Sequence, residues 1–352
     1  MKIGTCTSKP GQIAWGELTL AKFEGQHVRV PVAIAQGLKP GKTAFISGGI
    51  HGDEANGMWL VHKFLEELDP KRIEGTIVIL PVINTLGFKQ KTRRVPYDNK
   101  DLNRSFLHVR TKTLANVIAE NFLEKVVRQC DFGLDFHDSG YHQVNLLHVR
   151  IDQRRQIQEI RNLAVLFGTQ VVLERDGEVG MLAVQAYKRY KVPVLTVEIG
   201  GGELALNYYT KSAMQGIKNV LVFNGMLSGR IRLPKVQFFS FVKEEYFSGL
   251  DGIIKTHVRL GELVRKGTLL AEIFSPITKE RQLVRATANE VIVNIKSRSL
   301  ISKGDIMFMA LKLNDSELHI RQGSKTAIYR KASEIYRLYK RRVGRKRADL
   351  IV

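Results

Sequence analysis

The segment Thr43-Ala44-Phe45-Ile46-Ser47-Gly48-Gly49-Ile50-His51-Gly52-Asp53-Glu54-Ala55-Asn56-Gly57 decides how this chain of 352 residues is read. Thr43 to Ser47 is a short apolar run closed by two glycines, the pattern of a buried strand that ends in a tight backbone passage. From Asn56 to Leu68 the apolar residues Met58, Val61, Phe64, Leu65 and Leu68 recur at helical spacing. A strand feeding a helix through a glycine turn is the unit of an α/β sheet, and such sheets bind ligands outside the carboxyl ends of their strands. His51 and Glu54 fall at that junction, three residues apart.

Spacing alone decides little, because 9 His and 34 acidic residues yield roughly one His-x-x-acid pair by chance in a chain of this length. The other candidate strand ends therefore matter. Asp131 to Phe136 is a second short, mostly apolar run, and His137 follows it just before Asp138-Ser139-Gly140. His51, Glu54 and His137 together form a His-Glu-His set, which leaves zinc a fourth position for water. Nitrogen and oxygen ligands of this kind also admit cobalt, manganese or nickel. In Val192-Pro193-Val194-Leu195-Thr196-Val197-Glu198-Ile199-Gly200 a third apolar run ends near a carboxylate. Glu198 there has the chemistry of a general base that takes a proton from water and passes it to a leaving amine. Between these segments lies Thr92-Arg93-Arg94-Val95-Pro96-Tyr97-Asp98-Asn99-Lys100-Asp101-Leu102-Asn103-Arg104-Ser105-Phe106. Its arginines offer planar forks of donors that match a carboxylate, so the loop reads as a place to capture an acidic substrate or a polarised carbonyl oxygen.

In this order, the Gly-Gly-Ile-His-Gly-Asp-Glu-x-Asn-Gly stretch, Pro81-Val82-Ile83-Asn84, the Arg93 to Arg104 loop, Asp135-Phe136-His137 and Pro193 to Gly200 resemble the succinylglutamate desuccinylase/aspartoacylase family, whose fold is that of the zinc carboxypeptidases. The resemblance covers about Gly25 to Gly202. It implies one zinc ion per chain on His51, Glu54 and His137, with Glu198 as general base and acid. It further assigns Asn103 and Arg104 to the substrate carboxylate and Arg93 to the scissile carbonyl, with Arg94 beside it as a second candidate for the substrate. The chain departs from the family after Arg104, where Ser105-Phe106-Leu107 runs on without a Pro-Gly turn.

From about Tyr246 to Leu313 short β-rich runs alternate with glycine turns, which predicts a compact all-β unit. It is similar to the barrel-sandwich hybrid of lipoyl and biotinyl carriers. Lys279, in Ser275-Pro276-Ile277-Thr278-Lys279-Glu280, lacks the flanking residues of a carrier lysine, so the unit is expected to form a wall or lid over the cleft. The predicted organisation is a catalytic α/β part over 1–235, with a mixed β-sheet flanked by helices, then a smaller all-β domain over 236–318 and a basic helical tail over 319–352.

Composition bounds the rest. No apolar stretch reaches membrane-spanning length, the first residues do not read as a signal peptide, and a cytoplasmic location is expected. Cys6 and Cys130 form no metal-binding pair. The net charge of +21 is high, and 11 Lys/Arg against 2 acids in 319–352 supply +9 of it. Ile328, Ala332, Ile335, Tyr336, Tyr339 and Val343 recur at helical spacing in that tail. A field this positive concentrates anions. The expected partner is an acidic small molecule or peptide, with possible polyanion contact through the tail and room for a homo-oligomer. Three functions follow: a zinc-dependent deacylase acting on an acidic N-acyl amino acid, a carboxypeptidase trimming acidic peptide or glutamate tails, and a basic protein binding nucleic acid or the ribosome.

Overall fold

The computed structural model describes residues 1–152, 158–201, 209–234 and 237–312. The basic tail, 319–352, lies outside the described residues. In chain order, a short hairpin of β1 (Lys2–Ile3) and β2 (Cys6–Thr7) leads into two long antiparallel strands, β3 (Gln12–Phe23) and β4 (Gln26–Gln36). The α/β part follows as β5 (Lys39–Gly48), α1 (Ala55–Glu67), β6 (Glu74–Leu80), α2 (Thr85–Gln90), α3 (Leu114–Lys125) and β7 (Phe132–His137). It continues as β8 (Gln143–Ile151), α4 (Gln158–Phe167), β9 (Val171–Glu174), α5 (Leu182–Tyr190), β10 (Val194–Gly200) and α6 (Thr210–Phe223). The remaining described elements are strands: β11 (Phe238–Ser240), β12 (Lys243–Phe247), β13 (Gly252–Thr256), β14 (Leu263–Val264), β15 (Leu269–Phe274), β16 (Arg281–Arg285), β17 (Glu290–Lys296), β18 (Leu300–Ile301) and β19 (Ile306–Lys312).

One large mixed sheet organises the molecule, in the order β12-β19-β17-β8-β10-β7-β5-β6-β4-β3. Its centre, β10-β7-β5-β6, is parallel. Such strands are covered on both faces and read as continuous apolar runs, which is why Thr43 to Ser47 and Val194 to Gly200 show no alternation. Along β5 the side chains nonetheless divide between two cores. Ala44 and Ile46 face the core that α1, α4 and α6 close, while Phe45 faces the one closed by α3 and α5. Period-two alternation of Cβ atoms requires that division. Glycine at 133 makes room for Phe45, since a Cβ there would lie 2.1 Å from atoms of its ring.

The C-terminal strands split in two. β13, β15, β16 and β18 form a separate four-stranded sheet, while β12, β14, β17 and β19 extend the large sheet through the pairing of β17 with β8. Tyr246, Ile254, Leu270, Ile273, Ile292 and Phe308 fill the core between them. The large sheet thus runs from the α/β part into the C-terminal strands, and β11 pairs with β9 in the same sheet.

Candidate metal centre and active site

The carboxyl ends of the parallel strands gather the candidate residues. His51 lies in the turn after β5, Glu54 is the residue before the first turn of α1, and His137 ends β7. Helix α1 comes close to β7 because residue 57 is glycine: a Cβ there would stand 2.7 Å from the Phe136 carbonyl oxygen. That approach carries Glu54 between the two imidazoles. Its Oε1 lies 2.7 Å from His51 Nδ1 and its Oε2 lies 2.9 Å from His137 Nδ1, while the two Nδ1 atoms are 3.3 Å apart. All three side chains are buried.

Carboxylates on the far side of each ring define its tautomer. His51 Nε2 is 3.0 Å from Asp101 Oδ1, and His137 Nε2 is 2.8 Å from Asp135 Oδ2. Since an ionised carboxylate only accepts, each Nε2 donates to it, and the neutral rings turn their Nδ1 lone pairs toward one another. Two lone pairs and a carboxylate converging within hydrogen-bond distance is a donor set for a cation. Carboxylate-held imidazoles are how proteins orient histidine ligands. The residues present therefore fit a zinc ion. A proton competes for the same atoms: burial works against an imidazolium at His137, but Asp135 and Glu54 outweigh it and push its pKa well above the usual value. For Glu54 burial favours the neutral acid, and the two histidines overcome this, holding its pKa well below the ordinary range.

Asp101 also builds the neighbouring loop. Its Oδ1 accepts from the Asn103 backbone N–H at 2.8 Å, fixing the single turn Leu102–Arg104 beside His51. Asn103 is buried, and its Oδ1 accepts from Leu182 N–H at 3.0 Å, so its amide hydrogens are what it offers the cavity. Arg104 lines the same cavity and pairs with Glu178 at 2.6 Å. The two adjacent arginines separate. Arg93 reaches in, with Nη1 2.8 Å from Glu54 Oε1 and Nη2 3.5 Å from Asp101 Oδ2, whereas Arg94 turns outward to the Asn99 carbonyl at 3.1 Å.

Glu198 lies on β10 in register with His137 on β7. Both its oxygens are held: Oε1 by Arg150 Nη1 at 2.7 Å and Oε2 by Asn145 Nδ2 at 3.0 Å. Asp152 in turn lies between Arg150, at 3.6 Å, and Arg175, at 3.4 Å.

His51, Glu54, His137 and Glu198, with Arg93, Asn103, Arg104, Asn145, Arg150 and Arg175, line a cavity of about 220 Å³, which the C-terminal strands help to wall with Lys243, Val293, Met309 and Leu311. Arg93, Arg104, Arg150, Arg175 and Lys243 line it together with Glu54, Asp138 and Glu198, and Asp101, Glu178 and Asp152 pair with the arginines from just outside it. A larger cavity, about 400 Å³, opens between α1 and α6 beside Arg72 and Arg232, and the ligand set takes no part in it.

Asp101, Asp135, Asn145 and Arg150 were not singled out from the sequence. Asp135 was legible in principle, since it precedes His137 by two residues in one strand and so shares its face. Arg150 belongs to the second occurrence of Leu-His-Val-Arg, at 107–110 and 147–150, which carries no meaning as a repeat. Its value comes only from the pairing of β8 with β10, which sets Arg150 opposite Thr196, two residues from Glu198.

A model of the succinylglutamate desuccinylase/aspartoacylase catalytic domain matches residues 40–223, more than half of the chain. The protein belongs to this family. Its catalytic-domain match spans His51, Glu54, His137 and Glu198 alike. The chain is 26% identical over 260 residues to the N-alpha-acetyl-L-2,4-diaminobutyric acid deacetylase of Halomonas elongata, covering 70% of this chain and 74% of that one. It is 27% identical over 212 residues to a probable aspartoacylase of Prochlorococcus marinus, covering 56% of this chain and 67% of that one. Among solved structures, a succinylglutamate desuccinylase/aspartoacylase of Rhodobacter sphaeroides superposes with a TM-score of 0.77 at 18% identity, covering 89% of this chain and all of the other. The product-bound ectoine utilization protein of Ruegeria pomeroyi gives 0.75 at 23% identity, with 88% of this chain and all of the other covered. These likenesses establish the mixed α/β fold. Among the described residues, no helix is long and apolar enough to cross a membrane.

Proposed function

We propose that this chain is a zinc-dependent deacylase that hydrolyses the amide bond of an acidic N-acyl amino acid. The observation that carries the reading is the convergence of His51 Nδ1, Glu54 and His137 Nδ1 beside Glu198 in one cation-rich cavity of a family member. His51, Glu54 and His137 would hold the zinc, whose Lewis acidity polarises the scissile carbonyl and makes water acidic enough to be deprotonated near neutral pH. Glu198 takes the proton from the attacking water. As the carbon–nitrogen bond breaks, the same carboxyl delivers that proton to the amine, and the second proton of the water leaves with the new carboxylic acid, which ionises to a carboxylate at neutral pH. Arg93, tethered to Glu54 and Asp101, brings a fixed cation to the oxygen on which charge develops. The amide of Asn103 and the guanidinium of Arg104 receive the substrate carboxylate. Arg94, turned away in this structure, is left with a role in the loop.

We read the C-terminal strands as a barrel-sandwich unit whose task is to wall the cavity, supplying an apolar surface at Val293, Met309 and Leu311 for part of the substrate. The family match favours the deacylase over peptide trimming and over polyanion binding. The test is a screen of N-acyl amino acids and acidic peptides for amine release by the wild type and Glu198→Gln. Turnover of an acidic N-acyl amino acid, lowered by about a hundredfold to ten-thousandfold in the variant, is expected of a lost general base. Full activity in Glu198→Gln would remove Glu198 from the mechanism.

A further inference from the structure

We propose that Asn294, on β17, is a positioning residue for Glu198, acting through Asn145 on β8. This rests on the reading of Glu198 as the general base. Asn294 Nδ2 donates to Asn145 Oδ1 at 2.8 Å, and Asn145 Nδ2 donates to Glu198 Oε2 at 3.0 Å. The register places Asn294 directly opposite Asn145, and Asn145 opposite Gly200 on β10. All three side chains are buried, with Asn294 at 0% exposure.

The direction of the chain follows from the carboxylate at its end. An ionised Glu198 accepts only, so Asn145 must present its NH2 group there, which turns the Asn145 carbonyl toward β17. That carbonyl needs a donor, and among the described residues the NH2 end of Asn294 provides it. Reversing Asn294 would set two carbonyl oxygens against each other in a buried place. In that orientation Asn294 Oδ1 has no hydrogen-bond partner among the described residues. Arg150 holds Oε1 and the Asn294–Asn145 relay holds Oε2, so the carboxylate plane of Glu198 is fixed from two sides. The C-terminal strands thereby do more than wall the cavity, since they set the angle at which the base meets its proton.

The test compares Asn294→Leu, Asn294→Ala, Asn145→Ala and the double variant Asn145→Ala/Asn294→Leu in full-length zinc-loaded protein, after thermal melts and zinc content have been recorded. Asn294→Leu and Asn294→Ala are each expected to lower kcat about tenfold with KM and zinc content unchanged. The double variant should match Asn145→Ala alone, because residues that act through one bond are not additive. In a Glu198→Gln background Asn294→Leu should bring no further loss. Wild-type kcat in both Asn294 variants, or a double variant whose loss equals the product of the single losses, would overturn the relay. If Glu198→Gln itself keeps full turnover, the base assignment fails instead, and the two failures are separated by that control.

Discussion

Replacing Asp135 with Asn removes one charge from beside the buried His137 and barely changes volume, so its effect reads directly on the proposed metal centre. Asp135 is 1% exposed; its Oδ2 accepts from His137 Nε2 at 2.8 Å and its Oδ1 accepts from Ser47 Oγ at 2.8 Å. In Asp135→Asn the amide oxygen still accepts from the imidazole, and the Ser47 hydroxyl reverses to accept from the new NH2 group. Geometry is therefore retained while the charge assistance is lost. A charge-assisted hydrogen bond is roughly twice as strong as a neutral one. Loss of the outer partner of a histidine ligand costs about tenfold to a hundredfold in metal affinity, and the conserved geometry here places Asp135→Asn near tenfold, about 1.4 kcal/mol. Asp135→Leu, which also strands the imidazole N–H, should fall near the hundredfold end. Asp101→Asn should cost less than Asp135→Asn, because the Asp101 side chain is 18% exposed and water replaces part of what is lost. The assay is competitive zinc titration against a chromophoric chelator at fixed pH. Equal zinc affinity in wild type, Asp135→Asn and Asp135→Leu would refute the claim that this carboxylate orients a metal ligand.

Other outcomes follow from the same geometry. Arg104→Ala should raise KM for an acidic N-acyl amino acid by about tenfold to a hundredfold while kcat changes little, the size of a lost hydrogen bond to a charged group; steady-state kinetics would show an unchanged KM if Arg104 did not meet the substrate. Zinc retention should weaken as pH falls, because protons compete for His137, where burial that opposes protonation is outweighed by Asp135 and Glu54; dialysis at stepped pH followed by metal analysis checks the direction. Phe45→Ala should destabilise by about 3–5 kcal/mol, since the ring is fully buried over Gly133 and meets Phe122 edge to face at 5.9 Å; a urea-melt loss under 1 kcal/mol would contradict that packing.

How much of this was legible follows from where each signal resides. Strand ends were readable wherever an apolar run met a polar residue and a glycine, which is how His51, His137 and Glu198 stood out. The parallel centre of the sheet was readable for the same reason, because centrally buried parallel strands announce themselves as unbroken apolar runs, while its mixed character was implied by the family resemblance. Pairing between distant strands left no such local trace. Nothing in Gln143 to Ile151 alone says that Arg150 will meet Glu198, and nothing in Glu290 to Lys296 says that Asn294 will meet Asn145. The choice between Arg93 and Arg94 was equally out of reach, since it depends on the turn that Asn84 shapes by capping α2 and donating to the Arg93 carbonyl at 3.4 Å.

The most direct test of the central claim is elemental analysis of the purified full chain and of His51→Ala, paired with amine release from an acidic N-acyl amino acid. The account predicts about one zinc per chain in the wild type, loss of that zinc in His51→Ala, and loss of turnover with it. A wild type that binds no metal and stays inert after zinc is added would contradict it.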